Sequence, residues 1–320
     1  MCGICGIWGQ AREAEIRGMM DRLAHRGPDA QGMHAGAAGW LGHRRLSIMD
    51  PEGGNQPIYS GDRERAIVAN GEIYNFPALR EELGAAHTFR TRSDTESALH
   101  LYEDLAQDAA GRLDGMFAFA IADGDTLYAA RDPVGIKPLY LGRRGQDVIF
   151  SSELKALVGV ADAAEEFPPG SWYHSRLGAR KYRPLPKRSP QERPADDHAR
   201  RLREALARAV TKRLMSDVPV GAFLSGGLDS SLICALIRPQ VDALHTFSVG
   251  LEGSADLQAA RVVARHLDTI HHEYILDPDE IAAKLPEIVW SLESYDRDLV
   301  RSAVPCYFTS RLAARHVKVI

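Results

Sequence analysis

At 320 residues the chain exceeds the usual size of one compact core, so two domains are expected. Its 45% hydrophobic and 26% charged residues argue against disordered or fibrous classes, and a net charge of −4 argues against a surface that tracks nucleic-acid phosphates or anionic lipid. The first residues carry no basic segment ahead of an apolar stretch, and apolar runs such as 115–122 are far too short to span a membrane; a cytoplasmic protein is expected, whose four cysteines stay thiols.

The chain opens "MCGICGIWG". A Cys2-x-x-Cys5 pair invites a metal or redox reading, but Cys234 and Cys306 are single residues in helix-like patterns and supply no second pair of zinc ligands. The competing reading makes Cys2 a nucleophile. If Met1 is removed, thiol and α-amine share one residue, and an amine of pKa about 8 can act as the base that activates the thiol. Cys5 is then a small buried hydrophobe.

From Cys2 to about residue 160, short apolar runs alternate with turn signals. Runs at 39–41, 67–69, 116–122, 127–130, 139–141 and 148–150 predict strands. Helical spacing appears at Phe76, Leu79 and Leu83, and again at Ala98, Leu99, Tyr102 and Leu105. An α+β sandwich fits this texture. Residues 184–197, "PLPKRSPQERPADD", predict a linker, with a first domain at 2–185 and a second at 198–320.

Beyond the linker the period changes. Leu202, Ala205, Leu206, Ala209, Val210 and Leu214 mark one face of a helix. "VPVGAFL" (218–224) predicts a buried strand, "SGGLDS" (225–230) a loop, and residues from Ser231 a helix. Strands at 245–249 and 270–276 flank a helix over 259–267, and the terminal "HVKVI" predicts a further strand. Alternating strands and helices imply a parallel, doubly wound sheet. In such sheets ligands bind beyond the carboxyl ends of the strands, where the 225–230 loop is expected. Its glycines let the backbone approach a phosphate, although a simple capped glycine turn fits two glycines equally well. "HHE" at 271–273 looks like metal ligands, yet neighbours on a strand point to opposite faces, which favours a structural role.

"SGGLDSS" after an apolar strand resembles the pyrophosphate loop of the N-type ATP pyrophosphatases, which adenylate an oxygen of a carboxylate or carbonyl and let an amine displace AMP. In the first half, "CGICGIWG", "HRGPDAQG", "LGHRRLSIMD", "NGEIYN", "SDTE", "RDPVGIKPLY" and "SSELKAL" resemble the glutaminase domain of glutamine-dependent asparagine synthetases, an N-terminal-nucleophile amidotransferase with an αββα sandwich. The resemblance covers almost the whole chain. It implies that Cys2 attacks the glutamine amide, that Asn70 and Gly71 form the oxyanion hole, that Arg45 pairs with the substrate α-carboxylate, and that Asp94, with Ile48 and Glu72, holds its α-ammonium. Taken singly, these residues also have ordinary readings: Arg45 as a surface charge, Asp94 as a helix cap, Asn70-Gly71 as a hairpin turn.

In the second half the resemblance implies an ATP site at Leu224, Ser225, Gly226, Gly227, Asp229, Ser230, Ser231 and Val249, with Arg301 at a position linked to the pyrophosphate or intermediate. It implies ATP and Mg2+ as cofactors, small-molecule substrates and a possible homodimer, and no metal ligand of protein origin is assigned. The chain departs from the family after "VKVI", where the family carries a segment that completes the ATP and aspartate site. A fragment, a glutaminase alone or a non-catalytic remnant are the alternatives this raises, beside an amidotransferase acting on another carboxylate.

Overall fold

The computed structural model describes residues 1–184, 192 and 194–320. These divide into two compact units, Met1–Ser189 and Pro190–Ile320. Of the expected linker, residues 185–191 and 193 lie outside the described residues, as does the end of the expected first domain at 185. Residues 195–197 are helical instead. Pro194 occupies the position before the first turn, and Asp196 and Asp197 lie within that turn, where acidic side chains oppose the positive end of the helix dipole.

In the first unit the chain runs β1 (Gly3–Trp8), α1 (Glu13–Arg22), β2 (Ala30–Ala35), β3 (Gly39–Arg45), β4 (Ile58–Tyr59), β5 (Arg65–Ile73), α2 (Phe76–Leu83) and α3 (Thr95–Leu105). It continues through β6 (Gly115–Asp123), β7 (Thr126–Arg131), β8 (Tyr140–Arg144), β9 (Asp147–Ser151), β10 (Ala163–Glu166), β11 (Ser171–His174) and β12 (Gly178–Lys181). Two six-stranded antiparallel sheets form, ordered β10-β8-β9-β1-β3-β2 and β12-β11-β7-β6-β5-β4. Strand β6 shows how the layers are chosen. Phe117, Phe119 and Ile121 pack with Leu79, Leu99 and Tyr102 of α2 and α3, whereas the alternate Ala118, Ala120 and Ala122 meet Ile4, Leu41 and Phe150 of the facing sheet. Small side chains on that face let the sheets approach closely. On the outer face of the other sheet, Cys5 and Ile7 pack on Ile16, Met19 and Met20 of α1. The layers are therefore α, β, β, α.

The second unit contains α4 (Ala195–Arg213), β13 (Gly221–Phe223), α5 (Leu228–Ile237), β14 (His245–Gly250), α6 (Ala255–Leu267), β15 (Ile270–Ile275), α7 (Pro278–Leu292) and α8 (Arg297–Ala313). Its three strands are parallel, in the order β13-β14-β15. Val210 of α4, Cys234 and Ile237 of α5, and Ala260 and Ala264 of α6 pack around Ala222 and Leu224. Leu312 and Ala313 of α8 join Phe247, with Phe223 and Tyr274 beside them. These clusters cover opposite faces, because Ala222 and Phe223 alternate along β13.

Three expectations need correction. The strand at 218–224 shrinks to Gly221–Phe223, and the helix expected from Ser231 starts at Leu228, so half of the expected loop is its first turn. The terminal strand is a single parallel bridge, Val220 to Val319, with Gly221 N–H donating to Val319 C=O at 2.9 Å. That bridge still carries information. It lies on the side of β13 away from β14, so strand order reverses at β13, which is the topological switch point of an open α/β sheet.

Candidate functional site

Cys2, Arg45, Ile48, Asn70, Gly71, Glu72 and Asp94 line one cleft of the first unit, together with Leu46, Gln56 and Ser93. Cys2 sits just before β1, and its Sγ lies 3.4 Å from the N–H of Leu46, which donates to it. Burial raises the thiol pKa, and the Leu46 N–H opposes that shift. The Met1 amine beside it is lowered to about 6 by burial, with Arg26 and Lys137 adding to the shift and Cys2 opposing it.

Asn70 and Gly71 lie inside β5, not in a hairpin turn. Asn70 is 1% exposed and its Nδ2 has no hydrogen-bond partner. The direction of the Gly71 N–H follows from the ladder. Phe117, opposite Gly71, has both backbone groups engaged with Asp132, its N–H donating to Oδ2 and its C=O accepting from Asp132 N–H. The residues two before and two after Gly71 donate away from β6, Ala69 N–H to Gln56 Oε1 at 2.6 Å and Ile73 N–H to Asp94 Oδ2 at 2.6 Å. By the two-residue period the Gly71 N–H points the same way, into the cleft between Gln56 and Asp94. A Cβ on Gly71 would meet Met116 O at 2.2 Å and Phe117 Cα at 2.7 Å, so no other residue fits.

Asp94 precedes α3 but does not cap it; its carboxylate turns to Ile73 N–H. Burial pushes its pKa up to about 7, with the Ile73 N–H opposing and the charge of Glu72 adding. Arg45 is 4% exposed, which excludes a surface role. Its two terminal nitrogens donate to Pro51 C=O, Asn55 Oδ1, Met49 C=O and Asp50 C=O at 2.7–3.0 Å. Those four bonds use the four terminal N–H groups, which leaves Nε–H for an incoming anion.

The sequence gives no role to the residues that hold the backbone of Cys2. Arg26 Nε donates to Cys2 C=O at 2.8 Å, and Arg26 pairs with Glu153 at 2.7 Å. Burial alone would raise the Glu153 carboxyl, but hydrogen bonds from His25, Lys155 and Arg26 bring it down to about 2. Lys137 pairs with Glu72 at 3.0 Å. Arg26, Glu153 and Lys137 belong to the motifs "HRGPD", "SSELKAL" and "RDPVGIKPLY", but their partners are far away in the chain, so no local pattern marks the pairs.

Cys5 is fully buried and pushed up to about 12 by burial; it belongs to no cluster of metal-ligating side chains among the described residues.

In the second unit, residues 224–227 connect β13 to α5 at the switch point, and residues 228–231 form the first turn of α5. Gly226 has φ +79°, and a Cβ there would meet Ala260 N at 2.5 Å on α6. Gly227 precedes α5 with no side-chain cap, while Ser225 and Ser230 hydroxyls lie 3.0 Å apart and Ser231 Oγ donates to Gly227 C=O. Leu224 is buried, its N–H donating to Phe247 C=O, and its carbonyl accepts from Ser248 Oγ. Val249 stands half-buried near the carboxyl end of β14, and Asp229 is exposed in the first turn of α5. Arg301 is exposed on α8, and among the described residues no hydrogen bond or ion pair joins it to the loop.

Residues 1–171 match the family of the glutamine amidotransferase domain. The chain belongs to that family. Residues 201–320 match the asparagine synthase family. Among relatives, an asparagine synthetase [glutamine-hydrolyzing] 2 of Arabidopsis thaliana is 42% identical over 97% of this chain and 57% of its own length. One from Zea mays is 42% identical over 97% and 56%, and a probable asparagine synthetase of Dictyostelium discoideum is 39% identical over 100% and 63%. The chain thus spans under two thirds of the length of these relatives. A glutamine phosphoribosylpyrophosphate amidotransferase from B. subtilis, solved with ADP and GMP, shares the fold at TM-score 0.50 and 20% identity, over 88% of this chain and 70% of that one. The first unit is the N-terminal-nucleophile sandwich of the amidotransferase fold, and the second is an α/β unit with helices on both faces of its parallel sheet. No helix among the described residues is long and apolar enough to cross a membrane.

Proposed function

We propose that the chain carries out glutamine-dependent asparagine synthesis: aspartate, ATP, glutamine and water yield asparagine, AMP, pyrophosphate and glutamate. Removal of Met1 uncovers the α-amine of Cys2. That amine takes the thiol proton, Sγ attacks the amide carbon of glutamine, and the proton passes to the departing ammonia; water then hydrolyses the γ-glutamyl thioester. The Asn70 Nδ2–H and Gly71 N–H receive the oxyanion, an arrangement that typically contributes about 10²–10³ in rate per donor. Arg45 takes the α-carboxylate through Nε–H, and Asp94, with Ile48 and Glu72, receives the α-ammonium. The observation that carries this reading is Asn70 Nδ2, buried without a hydrogen-bond partner, beside a Gly71 N–H that the strand ladder turns into the cleft that holds Cys2 Sγ.

For the second unit, we read Ser225, Gly226, Gly227, Asp229, Ser230 and Ser231 as the ATP phosphate site, with Leu224 and Val249 bordering the adenine and Arg301 serving the intermediate. An uncapped helix start beside a glycine in the left-handed region, with three hydroxyls, fits phosphate oxygens. Mg2+ would offset phosphate charge, and we assign Asp229, exposed in the first turn of α5, as the carboxylate that shares it. Aspartate is adenylated with loss of pyrophosphate, and ammonia displaces AMP. A cytoplasmic location and a homodimer complete the reading.

The test is pyrophosphate release from ATP with ammonia supplied directly. Release that requires aspartate supports the proposal. Release with another carboxylate in place of aspartate changes the acceptor, and no release from folded protein confines activity to Cys2.

A further inference from the structure

His245 opens β14, His272 is the third residue of β15, and Phe247 pairs with His272, so the three lie on one face of the sheet. His316 reaches them from the turn after α8, held by its N–H to Ala313 C=O at 2.9 Å and by the buried Val317 that follows. The imidazoles have distinct relations: His245 Nδ1 and His272 Nε2 are 3.0 Å apart, and the His272 and His316 rings stack at 3.8 Å. One ring nitrogen from each of the three lies within 4.8 Å of the others. Phe247, stacked on His272 at 5.1 Å, gives the group an apolar floor. His271 is not part of it; it points to the other face, to Thr246 Oγ1 at 2.9 Å and Glu273.

Three imidazoles crowded together gain little from one another. A single His–His hydrogen bond satisfies only one nitrogen of each partner. Neutral imidazole is the common ligand of first-row transition ions, and two nitrogens on one tetrahedral zinc, each at 2.0–2.1 Å, stand roughly 3.3 Å apart. The His245–His272 pair is already near that spacing. His316 is exposed in a turn, and its ring nitrogen lies within 4.8 Å of the other two, so a shift of this side chain can bring it to the same ion.

We propose that His245, His272 and His316 form a three-imidazole site for one divalent transition ion of the Zn2+ class. It lies toward the amino-terminal edge of the parallel sheet, at the end opposite the 225–231 loop, with a fourth position open to solvent. On binding, the ion replaces the His245–His272 hydrogen bond with two coordinate bonds, and one imidazole proton is not lost but resides on the nitrogen facing away.

The test titrates the metal-stripped 320-residue chain with Co2+, read by its visible absorption, and with Zn2+ against a chromogenic chelator. We expect one ion per chain, weakened about tenfold or more by His316→Ala and by His272→Gln, since even outer-shell losses cost that much. His271→Ala leaves binding unchanged. Either variant is scored only with an unaltered circular dichroism spectrum, and the two provide independent readings. Failure of the folded chain to bind an ion, binding that survives both substitutions, or binding that disappears in Cys306→Ser instead overturns the proposal.

Discussion

Asp94 is a carboxylate kept ready at a cost. Burial holds its pKa near 7, so in the free protein it is half protonated at neutral pH, and in the role proposed for it an α-ammonium would meet a carboxylate only after that proton leaves. Two predictions follow in opposite directions. The KM for glutamine should rise as pH falls below about 7, with kcat less affected; a flat KM between pH 5.5 and 8 contradicts this. Stability follows linkage: with an unfolded value near 3.9 and a folded value near 7, the native state binds more protons in between, so stability declines as pH rises through that window. Asp94→Asn, which keeps an acceptor for Ile73 N–H, should therefore raise the melting temperature at pH 8 by a few degrees, on the order of 1 kcal/mol, while abolishing glutamine turnover. At Glu153 the prediction concerns position rather than charge. Glu153→Gln loosens Arg26, which holds Cys2 C=O, and should lower kcat about tenfold with little change in KM.

At the scale of elements, the loop before α5 depends on one backbone conformation. Gly226→Ala combines a left-handed φ with a contact of 2.5 Å to the backbone of α6, and should cost about 1–2 kcal/mol or more and eliminate ATP binding, measured by calorimetry; unchanged affinity would remove the loop from the phosphate site. How much of such detail was legible in the sequence varies with chemistry. The alternation of Phe and Ala in β6 announces a strand buried on both faces, and the expected strand at 116–122 falls within Gly115–Asp123. The edge strands β10 and β12, "AAEE" and "GARK", are polar and exposed, so no apolar period marks them. The sequence pattern starts helix α5 three residues late, because "GGLDS" reads as a turn while Leu228 and Asp229 already hold helical geometry. Asn70-Gly71, a turn signal by composition, sits in a strand because the close approach of β6 demands a glycine there. The cleft residues were legible as motifs, whereas Arg26, Lys137 and Glu153 support them through long-range pairs that no local pattern encodes.

At the scale of the molecule, two units of different architecture stand in one chain, an antiparallel αββα sandwich and a three-stranded parallel sheet. Each carries its own candidate chemistry, at Cys2 in the first and at the β13 switch point in the second. The central claim is nucleophilic attack by Cys2, and the measurement closest to it is ammonia release from glutamine by the chain with Met1 removed, verified by mass, beside Cys2→Ala. The account predicts release by the first and none by the second, with the circular dichroism spectrum unchanged. Ammonia release that survives Cys2→Ala, or none from the processed, folded chain, would contradict it.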